Sequence, residues 1–85
     1  MAIYQSDGRK LLNAEYDTTI EVGDEIDGMR VLSVDKKAAD ECAVFLLEPS
    51  GMVTCYVLDE IYVVGKSDSF ETLVDALKAW NNAEI

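Results

Sequence analysis

The sequence predicts an α+β domain in which an antiparallel sheet curls into a small barrel beside one C-terminal amphipathic helix. Three observations lead there. The densest apolar run, Cys42 to Val64, is split by Glu48-Pro49-Ser50-Gly51; short strand-like segments separated by turn residues precede it; a single helical stripe follows it.

In the central run, Pro49 fits the second position of a type I turn and Gly51 the left-handed position of a three-residue hairpin loop. The resulting register pairs Leu47 with Val53, Leu46 with Thr54, Phe45 with Cys55, Val44 with Tyr56, Ala43 with Val57 and Cys42 with Leu58. Alternation then gathers Leu47, Phe45, Ala43, Val53, Cys55 and Val57 on one apolar face and Leu46, Val44, Cys42, Thr54, Tyr56 and Leu58 on a mixed one. A helix from Lys36 to Leu47 also fits the spacing of Ala38, Ala39, Cys42, Ala43 and Leu46, and the hairpin is the preferred of the two readings.

Strands are expected over 3–5, 10–12, 15–22, 29–35, 42–48, 52–58 and 61–64. Asp7-Gly8 supplies the tight turn of an opening hairpin. From Glu15 to Val22, Glu15, Asp17, Thr19 and Glu21 alternate with Tyr16, Thr18, Ile20 and Val22, the pattern of a strand with one acidic face. Asp27-Gly28 marks a further turn that sets Glu25 opposite Arg30, and Met29 to Val34 reads as a central strand. Asp35 to Glu41 reads as a loop, and Asp59-Glu60 as a bulge or brief turn before the last strand.

A helix is expected over 69–82. Asp68 and Glu71 have capping-box spacing, and Phe70, Leu73, Val74, Leu77 and Trp80 form the stripe that covers the apolar hairpin face. Phe45, Val53, Val57, Leu73 and Leu77 should share one core, with Trp80 partly exposed. One helix covers one face, so the mixed face must be covered by closure of the sheet into a barrel of the SH3 type or by a second molecule.

Eighty-five residues make a single domain, 1–85, with a small core. The longest uninterrupted apolar stretch, Cys42 to Leu47, is too short to span a bilayer, and the opening residues lack the pattern of a secretory signal, so a cytoplasmic protein is expected. Cys42 and Cys55 fall on opposite hairpin faces, which predicts free thiols buried as small hydrophobes.

Seventeen acidic residues against seven basic ones give a net charge of −10, which disfavours direct contact with nucleic acid or anionic membrane. The chain contains no histidine, so Ser-His, Cys-His and His-metal chemistry have no source. Asp24-Glu25-Ile26-Asp27-Gly28 lacks the alternate ligands and closing Glu of a calcium loop, and Asp59 and Glu60, as neighbours on a strand, do not converge. No catalytic residue, metal or cofactor is therefore expected.

The arrangement of charge remains. Between Leu11 and Met29 lie Glu15, Asp17, Glu21, Asp24, Glu25 and Asp27 without a base, and Ala38 to Gly65 is a second base-free span. Carboxylates on one strand face repeat every 6.6 to 6.8 Å or so, a row able to occupy a basic groove. The expected function is a non-enzymatic acidic protein that docks on the basic surface of a nucleic-acid-binding protein, as inhibitors that mimic nucleic acid do. The alternative is a structural or adaptor module that homodimerises through Val44, Leu46, Met52 and Tyr56 on the mixed face.

Overall fold

The computed structural model describes residues 1–14, 19–36 and 41–85. Its strands are β1 (Ile3–Asp7), β2 (Lys10–Leu12), β3 (Glu25–Ile26), β4 (Met29–Lys36), β5 (Glu41–Leu47), β6 (Val53–Asp59) and β7 (Tyr62–Lys66), followed by helix α1 (Leu73–Asn81). The strands close a barrel in the order β1-β2-β7-β6-β5-β4-β3. Closure is by a parallel pairing of β1 with β3, Ile3 with Glu25 and Tyr4 with Ile26, so the sheet is mixed where an antiparallel one was expected. No described helix is long and apolar enough to cross a membrane.

The central hairpin has the expected register, Leu47 with Val53 through Cys42 with Leu58, and extends it to Glu41 with Asp59. Its mixed face points into the barrel. Val44, Leu46, Tyr56 and Leu58 join Tyr4, Leu11, Ile26, Val31 and Val63 there. Its apolar face points outward beneath the helix, where Ala43, Phe45, Val53, Cys55 and Val57 pack with Ala76 and Trp80, and Leu73 and Leu77 are half-buried against them. The thiols are free; Cys42 lies against the inner cluster and Cys55 in the outer one, where burial pushes its pKa up to about 12.

The turns follow backbone chemistry more closely than residue order. Asp27 and Gly28 both have positive φ, 54° and 79°, which suits a two-residue hairpin and sets Glu25 opposite Arg30. The first turn centres on Gly8-Arg9, one residue beyond the expected site, because Asp7 pairs with Lys10 and Gly8 takes the positive φ. Glu60-Ile61 joins β6 to β7, with Glu60 held at φ 54°, and β7 then runs to Lys66 with a register shift between Val57 and Leu58.

The expected strand over 15–22 is corrected in its second half. Thr19 to Val22 is irregular and Val22 is exposed, because Gly23 at φ 98° turns the chain and Asp24 anchors it; Glu15 to Thr18 lie outside the described residues. The helix also starts later than expected. Phe70 is held in an extended bridge with Val53, its N–H donating to the Val53 carbonyl at 2.7 Å and its carbonyl accepting at 2.8 Å, so Asp68 and Glu71 cannot cap a helix through it. Thr72 caps instead, its hydroxyl accepting from the Asp75 N–H at 3.2 Å. The buried seam runs through Ala76, Ala79 and Trp80 rather than Val74, which is 59% exposed. Small residues let the helix approach the sheet, and Trp80 is consequently buried, its indole N–H donating to Asp35 Oδ2 at 2.7 Å.

Candidate functional site

Among the described residues, the remaining acids of the row, Glu21, Asp24, Glu25 and Asp27, do not share one surface. Glu15 and Asp17 lie outside the described residues. Glu21 is exposed and Glu25 is half-buried opposite Arg30. Asp24 is only 6% exposed and turned inward, where Oδ1 accepts the Ala2 N–H and Oδ2 the Glu21 N–H, each at 3.0 Å. Burial acts to raise its pKa, but those bonds outweigh it and hold the carboxyl below its ordinary value. Asp24 is thus an anchor for the irregular segment and not a docking charge.

Asp27 is exposed yet fully engaged. Its Oδ1 accepts the Ser6 N–H and its Oδ2 the Ser6 hydroxyl, both at 2.7 Å, and Oδ2 also accepts the Tyr56 hydroxyl at 3.2 Å. Lys66 Nζ lies 4.8 Å from the centre of the Tyr56 ring. Desolvation opposes ionisation of Asp27, and the Ser6 and Tyr56 bonds with the Lys66 charge overcome it, leaving its pKa lowered. Tyr56 is shifted up to about 12, first by burial and then by the negative charge of Asp27. The group ties β1, β6, β7 and the β3-β4 turn together. Its hydroxyls and carboxylate are satisfied by one another, which is the arrangement of a structural clasp.

The alternative interface is also displaced. Val44 and Leu46 have no exposed surface and Tyr56 is 6% exposed, so they fill the barrel, and Met52 alone of that set is half-buried at the hairpin end. Among the described residues, no three carboxylates or thiols are grouped to hold a metal ion.

Three exposed acids gather elsewhere, at one end of the central hairpin. Glu41 and Asp59 are paired across β5 and β6, both exposed, with exposed Glu60 next in sequence. By alternation they share the outer face with Ala43 and Val57. Like charges placed opposite each other on a sheet are unfavourable, and Glu60 adds a left-handed backbone that favours glycine. A sequence reading could find the Glu41-Asp59 pair by extending the hairpin register one residue, but the left-handed φ of Glu60 has no residue signature. Beside this rim, between β7 and the end of α1, lies an open groove of about 610 Å3 floored by Val57, Gly65, Phe70 and Ala79. No protein-family model, curated protein or solved structure matches the chain.

Proposed function

We propose that this is a non-enzymatic acidic binding protein that docks on the basic surface of a nucleic-acid-binding protein in the cytoplasm, using carboxylates where the partner normally receives phosphates. The observation that carries the reading is the rim formed by Glu41, Asp59 and Glu60. Here two like charges face each other and a non-glycine residue holds a left-handed backbone, so two locally unfavourable choices coincide on one edge. Sites that depart from local preference are where function is expected to outweigh stability. The net charge of −10 supports the sign of the partner.

The test compares the wild type with Glu41→Lys, Asp59→Lys and Glu60→Lys combined. Proteins captured from cell extract on immobilised wild type should be nucleic-acid-binding, should be displaced by duplex DNA, and should be lost on the triple variant. Captured proteins that resist both DNA and about 0.5 M salt, where the Debye length falls to a few ångströms, would refute charge mimicry.

A further inference from the structure

The groove beside the acidic rim is bordered by an incompletely paired strand. Strand β2 meets β7 where Lys10 lies opposite Tyr62, with Val63 N–H donating to the Arg9 carbonyl and Leu11 N–H to the Ile61 carbonyl, and the β1-β2 hairpin ends there. Beyond Val63, β7 pairs with β6 through Gly65 and Lys66, Val64 being the extra residue at the register shift, and among the described residues no strand pairs with Val64 to Lys66 on the other side. Such an edge presents backbone donors and acceptors at strand spacing. Alongside it Val64 is 54% exposed, and Gly65 lacks the side chain that would fill the groove over Val57.

Charge selects what the edge can receive. Asp68, Glu84 and Lys66 line the groove, the Lys66 ammonium being drawn over the Tyr56 ring, 4.8 Å from its centre, and Asp59 lies two residues beyond Val57 on the same outer face, facing Glu41. Two copies meeting edge to edge would each bring a charge of −10 to the contact, which opposes self-association. A cationic extended segment meets complementary charge and has apolar floor for its alternate side chains.

We propose that the β7 edge from Val64 to Lys66 and the adjoining groove bind an extended segment of a basic partner protein by strand addition, with apolar side chains over Gly65 and Lys or Arg side chains toward Asp59, Asp68 and Glu84. This rests on the reading of the partner as basic, and names the part of it that is held.

The probe is a fluorescein-labelled peptide of alternating Lys and Val, about eight residues long so that it outspans the open edge. Fluorescence anisotropy should show saturable binding that weakens from about 50 to about 500 mM salt. N-methylation of alternate residues, which removes the paired N–H groups, should weaken it at least tenfold. Gly65→Leu should do the same while leaving thermal stability within a few degrees, because a Cβ at Gly65 meets Val57 at 3.7 Å, an ordinary contact. Amide exchange should slow between Val64 and Lys66 when peptide is present.

Binding that ignores N-methylation and Gly65→Leu but is lost on Glu41→Lys with Asp59→Lys would overturn strand addition and leave the basic-partner reading standing. Equal binding of an alternating Glu-Val peptide would overturn the choice of a basic occupant. A dimer in sedimentation that Gly65→Leu abolishes would assign the edge to a second copy and overturn the proposal.

Discussion

Replacing Asp24 by Asn tests how the barrel is closed. The short β1-β3 pairing is made by Glu25 N–H to the Ala2 carbonyl at 2.9 Å and Asp27 N–H to the Tyr4 carbonyl at 3.0 Å, and Asp24 reinforces it by accepting from Ala2 and Glu21. Asn keeps one acceptor and turns an amide donor toward the other N–H. One charge-assisted bond is lost and two donors oppose each other in a site where the residue is 6% exposed, so the loss should be about 2 to 4 kcal/mol. For a domain of this size that corresponds to a fall in Tm of roughly 10 to 25 °C.

The pH dependence gives an independent check of the same argument. The folded Asp24 carboxyl titrates below its ordinary value, so its contribution is fully present above that value and is lost as pH falls through the folded pKa. The gap in Tm between wild type and Asp24→Asn should therefore be widest above the ordinary carboxylate range and should narrow as pH falls below it. Taking the difference removes the relief of surface repulsion that every other carboxyl contributes on acidification. Circular dichroism melts across that range measure it. A loss of stability below about 0.5 kcal/mol at neutral pH, the ordinary range for surface substitutions, or a Tm gap that does not narrow on acidification, would refute the account of Asp24 as a buried ionised anchor.

Phe45→Ala should cost about 3 to 5 kcal/mol in urea unfolding, because the ring is fully buried in the outer cluster, whereas half-buried Leu77→Ala should cost less. Equal losses would show that the helix seam is misassigned. Glu60→Gly should stabilise by about 1 kcal/mol, since glycine accepts the positive φ without steric penalty, and a loss of stability would show a side-chain role for Glu60 in the fold. Native Cys55, with its thiol shifted up to about 12, should resist a chromogenic disulfide reagent at neutral pH until the protein is unfolded; prompt reaction of both thiols would contradict its burial.

The central hairpin was legible because its turn chemistry and two-residue periodicity agree, so one loop set both the register and the contents of the two cores. Barrel closure followed from a face that one helix could not cover. The parallel β1-β3 contact was not legible, since it depends on Asp24 reaching Ala2 across a separation of 22 residues, and isolated alternation in Thr19 to Val22 suggested a strand instead. The helix start was misplaced by a competing use of backbone. Asp68 and Glu71 have suitable spacing, but Phe70 between them is taken by Val53. Similarly, counting large apolar residues favoured Val74, while close packing selected Ala76 and Ala79.

For the acidic surface, sequence showed abundance but not which carboxylates were already committed. Asp24 and Asp27 are consumed by the fold, and removing either charge should be felt as lost stability. Glu41 and Asp59 stand in the opposite position, because they repel across the pair and the fold gains nothing from their charge. Reversing one of them should leave Tm unchanged or raise it, while the proposed docking weakens. Stability and association are thereby driven in different directions by substitutions of the same chemical kind. That contrast distinguishes a binding surface from a general excess of negative charge, which predicts that every exposed carboxylate weakens docking alike when reversed.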